Sequence, residues 1–447
     1  MYDVAIYGSG FAGFSAAYAA LQNGLSVIVV EKGPRNNLAA SVKYASVAAP
    51  WEQVQSGGFD FVEPELKDFS NVPRFFGLGG TSKLWAGKWR PLDAVDFIRR
   101  SGQRAWPFGP TEIEPFVRAA SDLFGVTITP RPSVTPLLHC CNSVGVRVVP
   151  IRVEPKPTRL ALLWARLESN SLLTVVTEVA RSNFRFADGG IVEVDLEKSD
   201  GTRQDVKARY HVVAAGGVES ARLLYKLVSN ATGRTRTYLG GYMDHPKGGV
   251  GHLYPSRNLD ALDALLDSSN EGCLLALSLP EEELLDNCLG NHTLFLWGRS
   301  RRQLGWKRLY RRRAIRLNVN VDQFPEETNQ IDLSMENMVR WRISGETRNN
   351  VNRFLDRILP RIRDLWGMID RASWCELRGA SHPAGCTPFA HNPDIFQLHP
   401  DGRIAGLDNA FCASSAAFPF AGSANPTLTI AALGYRVGSA LTRSPLP

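Results

Sequence analysis

Three glycines supply the first residues whose types and spacing could do chemistry. Gly8, Gly10 and Gly13 stand in Gly8-Ser-Gly10-Phe-Ala-Gly13, between an apolar run at 3–7 and an Ala-rich segment, Phe11–Gln22. Glu31 follows at the end of a second apolar run, 25–31. In a strand–turn–helix, the first glycine makes the tight turn and the second lets backbone approach a pyrophosphate. The third lets helix pack on strand, and the helix N-terminus faces the phosphates. A carboxylate at the Glu31 position can accept bonds from ribose hydroxyls. A bare strand–helix turn would use the same glycines, but the complete β-α-β context favours a dinucleotide. The motif alone does not separate FAD from NAD.

Other reactive side chains carry less pattern. His382, Cys386, His391 and His399 match no closed zinc spacing, so no metal is expected. Asn425 followed by Pro426 is a good N-cap and N1 pair, which would start a helix at Pro426. The seven cysteines form no C-x-x-C pair and are expected to be reduced and mostly buried. The net charge of +7 concentrates in RSRRQLGWKRLYRRRAIR, residues 299–316, which holds nine Lys or Arg and no acid. That stretch suits a solvated basic loop, an interfacial membrane helix or capture of a phosphorylated substrate. No recognition module accompanies it, so nucleic acid is not expected.

The elements that must position these residues follow from periodicity. Strands are expected at 3–7, 25–31, 147–153, 172–179 and 314–322, with a pair within 204–215; helices at 11–22, 348–366 and 427–441. A chain of 447 residues exceeds what one core usually holds, so two joined domains are expected. No run of about 18 apolar residues occurs and no signal peptide is visible, so the expected location is cytoplasmic.

Further segments carry a family resemblance. Gly77-Leu-Gly79-Gly80-Thr81-Ser82-Lys-Leu84-Trp85-Ala86-Gly87 resembles the second glycine-rich signature of the glucose–methanol–choline (GMC) oxidoreductases. Val212-Val-Ala-Ala-Gly216-Gly217-Val-Glu219-Ser220 resembles their returning strand and helix. Ser381-His382-Pro-Ala-Gly385 and Phe418-Pro419-Phe-Ala-Gly422-Ser-Ala424-Asn425-Pro426-Thr427-Leu-Thr429 resemble their catalytic segments. Phe324-Pro325-Glu-Glu-Thr-Asn329 is similar to a substrate-domain strand. The Asn-Pro-Thr form is nearest the pyranose-oxidase-like branch.

The resemblance implies an α/β fold: a Rossmann-like FAD-binding domain with an inserted antiparallel-sheet (α+β) substrate domain. The expected division is 1–100, 170–250 and 375–447 for FAD, and 101–169 with 251–374 for substrate. FAD contacts are implied for Gly8, Gly10, Phe11, Ala12, Gly13, Glu31, Gly80, Thr81, Ser82, Trp85, Ala86, Gly87, Val179, Ala215, Gly216, Glu219, Ser414, Ser415, Asn425, Pro426 and Thr427.

The implied activity is hydride removal from an alcohol group of a polar substrate, a sugar or polyol being the class the branch suggests. His382 is implied as base, since imidazole titrates near neutrality, and Asn425 as the group orienting the hydroxyl. The same two residues would otherwise be a structural histidine and a helix cap. A redox-neutral lyase with structural flavin and a non-catalytic binding protein remain alternatives. Leu84 stands where pyranose oxidases bond histidine to flavin, so FAD is expected to be non-covalent. Ala86 replaces a hydroxyl near the oxygen-reactive face, favouring a dehydrogenase over an oxidase; the electron acceptor, whether oxygen, a quinone or a protein, is left open. Ser414 stands where the family has Asp, and Asp244-His245-Pro246 resembles a structural turn over the flavin.

Overall fold

The computed structural model describes residues 1–35, 60–61, 75–98, 104–127, 134–154, 160–268, 272–304, 314–334, 338–373, 377–379 and 382–442. The two apolar runs at the N-terminus become the strands Tyr2–Tyr7 and Val27–Val30. With Leu173–Val176, Ala208–Val213 and Ala410–Cys412 they build a parallel five-stranded sheet in which Tyr2–Tyr7 is central. Its strands read as continuous apolar runs because both faces are covered. Val4 and Ile6 pack with Ala12, Ala16, Leu428 and Ala431, beneath the helices Phe11–Gln22 and Thr427–Ala440. Ala5 and Tyr7 pack with Val218, Ala221 and Leu224 of the helix Gly217–Thr232 on the opposite face.

The helices Phe11–Gln22 and Thr427–Ala440 touch backbone to backbone. A Cβ at Gly434 would lie 2.2 Å from the Ala12 carbonyl oxygen, and one at Gly438 would lie 2.3 Å from that of Ala16. This approach docks the C-terminal helix, and the loop just before it, against the N-terminal glycine turn.

The second sheet is antiparallel and seven-stranded, ordered Gly367–Arg371, Lys247–Pro255, Ile315–Asn320, Thr293–Trp297, Cys273–Ser278, Arg147–Val153, Lys88–Trp89. Alternation divides its residues. Leu253, Leu275, Leu294, Leu317 and Val319 face a core shared with the helices Leu259–Asp267 and Gly345–Trp366. The long helix is capped by Ser344, whose Oγ accepts from the Thr347 N–H at 3.1 Å. The opposite face carries the cross-strand row Lys247, Asn320, Thr293, and beside it Gly249, Asn318, Phe295.

The α/β fold with an inserted antiparallel sheet is therefore present. Two segments sit elsewhere than the boundaries read from sequence. Lys88–Trp89 and the first half of Lys247–Pro255, expected within the FAD domain, hydrogen-bond into the second sheet. Pairing across the chain decides their place, and that is invisible to local periodicity. The helix Pro110–Phe124 was not anticipated. Much of the basic stretch, 305–313, lies outside the described residues, while Arg301 is ion-paired with Asp260 and Asp263.

Replacing Gly434 by Val forces a branched side chain into backbone that cannot yield. The expected cost is about 1–3 kcal/mol or more, seen as a thermal midpoint lowered by at least about 2 °C. An unchanged midpoint would contradict this packing.

Candidate active site

The nucleotide end is built from glycines that are either filled or open. Gly8 has φ of +108°, and a Cβ there would meet Ala214 O at 2.5 Å; at Gly13 it would meet Gly8 O at 2.0 Å. A Cβ on Gly10 or Gly216 would meet nothing within 4 Å. Both open glycines immediately precede helices, Phe11–Gln22 and Gly217–Thr232, whose first N–H groups have no intrahelical partner. Two helix N-termini facing open space fit a diphosphate-bearing dinucleotide. The second glycine-rich segment lies directly on the first: a Cβ on Gly80 would stand 3.4 Å from Gly10 Cα.

Glu31, expected to contact a ribose, is held by protein donors. Its carboxylate is buried and accepts from Ser9 N–H (3.1 Å), Ser9 Oγ (2.5 Å), Gly33 N–H (3.1 Å) and Gly77 N–H (3.2 Å). Burial raises its pKa, against the lowering effect of these donors. Ser9 Oγ also accepts from Gly79 N–H at 2.9 Å, and Ser9 O accepts from Trp164 Nε1 at 2.8 Å. Glu31 and Ser9 thus tie the first glycine turn to the second. Sequence reasoning missed Ser9 and Trp164, although Ser9 lies inside the motif.

Other expected contact residues fall around this point. Phe11 meets Trp85 edge to face at 4.8 Å, and Ala12 is buried beneath the C-terminal helix. Thr81 and Ala86 are exposed, while Ser82 is buried with its Oγ accepting from Leu160 N–H at 3.3 Å. Gly87 is buried with φ of +67°. The Val179 N–H is already donated to Glu31 O at 3.1 Å, and the Ala215 N–H to Ser220 Oγ at 2.9 Å. Glu219 lies in the first turn after Gly216. Ser414 Oγ accepts from Ala416 N–H at 3.1 Å, and Ser415 Oγ donates to Pro383 O at 2.7 Å. This last bond links the final strand's loop to the residue following His382.

At the catalytic end the two expected residues meet: Asn425 Nδ2 is 3.4 Å from His382 Nε2. The helix begins at Thr427, the start of the expected span 427–441, with Pro426 rather than Asn425 at the cap and no side-chain capping bond. Asn425 therefore leaves capping aside and turns its carboxamide to the imidazole. His245, expected to be structural, is the correction of most consequence. Its Nδ1 lies 3.1 Å from His382 Nδ1, and its Nε2 lies 3.2 Å from Ala421 O. Asp244 Oδ1 accepts from the backbone N–H of His245 (2.7 Å) and of His382 (2.8 Å), so one carboxylate sets both rings. Arg90, buried, donates to Ser423 Oγ at 3.2 Å and pairs with Asp93, fixing the loop before Asn425.

The hydrogen bonds fix the sense of this chain. A carbonyl oxygen only accepts, so His245 Nε2 carries the proton that faces Ala421. Burial lowers the pKa of His245, leaving its Nδ1 bare to accept. His382 then donates from Nδ1 and keeps its lone pair on Nε2. Asn425 Nδ2, which only donates, faces that same lone pair. The pKa of His382 is held well below the ordinary imidazole range, by burial first and then by the neighbouring Lys247, the coupled His245 ring and Lys88. Burial also lowers both lysines, Lys247 to about 8. Among the described residues no group of three His, Cys, Asp or Glu converges on a metal position, and none of the six described cysteines is in a disulfide. No helix among them is long and apolar enough to cross a membrane.

These features define an FAD-dependent oxidoreductase. Residues 3–243 match the family model for an FAD binding domain and residues 318–434 that for a GMC oxidoreductase. The chain belongs to the GMC oxidoreductases. It is 22% identical to a 6'''-hydroxyparomomycin C oxidase of Streptomyces lividus, over 99% of this chain and 91% of that protein. Its fold is similar to that of a pyridoxine 4-oxidase from Mesorbium loti, with TM-score 0.64, 15% identity and 98% of each chain covered. A formate oxidase structure gives TM-score 0.64 at 14% identity, covering 98% of this chain and 97% of that one.

Glu31→Leu removes the acceptor of four donors, each costing about 1–3 kcal/mol when left unpaired in a buried place. The variant is expected to purify with flavin occupancy at least about tenfold lower, read from the flavin-to-protein absorbance ratio. Full retention of flavin would contradict the tie described for Glu31.

Proposed function

We propose that this enzyme oxidises the CH–OH group of a small polar alcohol, of the sugar or polyol type. The observation that carries the reading is the line Ala421 O, His245, His382, Asn425, which leaves one unprotonated imidazole nitrogen beside a carboxamide. Bound FAD, held without a covalent link because Leu84 offers no nucleophile, supplies the hydride acceptor. The substrate hydroxyl replaces the 3.4 Å bond between the Asn425 carboxamide and His382 Nε2, the two side chains parting to hydrogen-bond the same oxygen. His382 Nε2 accepts the hydroxyl proton, while Asn425 holds the oxygen so that the C–H bond is correctly directed. His245 keeps the acceptor nitrogen pointing outward by accepting the His382 Nδ1 proton. As the proton arrives, His382 becomes positive beside Lys247 and Lys88, which favours its later release to solvent.

The electron acceptor follows from Ala86. It is exposed and has no hydroxyl to assist oxygen chemistry, so we assign a dehydrogenase that passes electrons to a quinone or protein. Reoxidation of the reduced enzyme by a quinone is expected to outrun reoxidation by air-saturated buffer. The reverse order would make it an oxidase.

Anaerobic flavin reduction by candidate alcohols tests the catalytic assignment. His382→Ala is expected to slow reduction by about 10²–10⁴-fold, and Asn425→Ala by a smaller factor; wild-type rates in His382→Ala would remove the base. The lowered pKa sets the sign of the pH dependence. His382 stays unprotonated below the ordinary imidazole value, so kcat/KM should not fall as pH drops through about 6.5. It should fall only at lower pH, where His382 finally protonates.

A further inference from the structure

Two lysines share the face of the seven-stranded sheet that is turned away from its helix-covered core. Lys247 is in register with Asn320, and Asn320 with Thr293, so the three form one cross-strand row. Lys88 pairs with Val153, which packs with Ile151, Leu274 and Phe295, residues of that same face. The Lys88 ammonium stands 5.8 Å from the centre of the Trp297 ring, and Phe295 and Trp297 stack next to each other on this surface. Lys247 is two residues beyond His245, and its backbone is locked to Arg378 by bonds of 2.7 and 2.8 Å. The row therefore begins where the catalytic imidazoles end.

Neither ammonium forms an ion pair with a carboxylate among the described residues. Among the described residues no carboxylate acts on Lys88, and only Asp244 acts favourably on Lys247, with its Oδ1 already accepting two backbone N–H groups. Lys88 and Lys247 instead repel each other, and both act on His382. Holding two like charges in partly buried positions without an ion-pair partner among the described residues is costly and persists where a ligand relieves it. A donor on the same face is also unmatched: Thr293 Oγ1, on a fully buried residue, has no hydrogen-bond partner among the described residues.

We propose that Lys88 and Lys247 seat an anionic oxygen group, a carboxylate or a phosphate, carried by the alcohol that the site oxidises. The inference rests on the oxidation reading above and narrows its substrate class. Two ammonium groups with a hydroxyl donor on one face can satisfy the several acceptor oxygens of such a group. An amine-bearing substrate would meet like charge there.

The test uses the FAD-loaded enzyme and separates binding from turnover. Acetate and inorganic phosphate, titrated at constant ionic strength set with chloride, are each expected to perturb the flavin absorbance if seated; whichever saturates at lower concentration identifies the source of the charge. Lys88→Met and Lys247→Met should weaken that saturation by about 10- to 100-fold, the size of a lost charge-assisted bond, and Lys88→Arg should restore most of it in a folded protein. In turnover, lactate against lactamide and glycerol 3-phosphate against glycerol compare anionic with neutral alcohols. The kcat/KM ratio within a pair should favour the anion and drop about 10- to 100-fold in the methionine variants. Failure of both anions to bind, or equal losses on charged and neutral alcohols, overturns the proposal. Anion binding without flavin reduction by any alcohol would sink the oxidation reading and leave the anion seat in place.

Discussion

A carbonyl oxygen cannot donate, and that fact at Ala421 orders the chemistry of the whole site. It places a proton on His245 Nε2, which bares His245 Nδ1, which in turn holds a proton on His382 Nδ1 and leaves His382 Nε2 as a base. The other end of the line agrees, because the Asn425 amide nitrogen also calls for an acceptor at His382 Nε2. In the proposed reaction, a histidine whose tautomer is set from both sides starts each cycle ready to accept a proton. Burial and neighbouring positive charge keep it unprotonated where a free imidazole would titrate.

The fold exists to bring these groups together from distant places in the chain. His245 enters in the turn just before the strand Lys247–Pro255 of the second sheet, His382 after that sheet's last strand in sequence, Gly367–Arg371, and Asn425 on the loop ahead of the last helix. The closeness of Gly434 and Gly438 to the first helix anchors that loop against the glycine turn. Asp244 draws the other two backbones onto one oxygen. The nucleotide end is built in a similar way: Glu31 and Ser9 join two glycine-rich segments almost seventy residues apart, leaving open space in front of Gly10.

Local chemistry carried much of this into the sequence. The glycines of the first turn, the apolar runs of the parallel sheet, the exact span Phe11–Gln22 and the strand Arg147–Val153 could all be read from residue order. The pairing of His382 with Asn425 was legible because both sit in long, specific segments. His245 was passed over as part of a turn, since nothing local shows which ring a histidine will face. Asn425 looked like a cap because Asn-Pro usually is one, and the structure moves the cap to Pro426. Lys88 and Lys247 were silent for the same reason as the sheet boundaries: their meaning comes from strand register across the chain.

The tautomer of His382 is the claim on which the rest stands, and it is directly observable. Nitrogen-15 NMR of the FAD-loaded enzyme, with labelled histidine assigned through His382→Gln, reads each ring nitrogen as protonated or bare. At neutral pH the account predicts a protonated Nδ1 and a bare Nε2 for His382, with the opposite pattern for His245. A His382 ring protonated at Nε2 would contradict it.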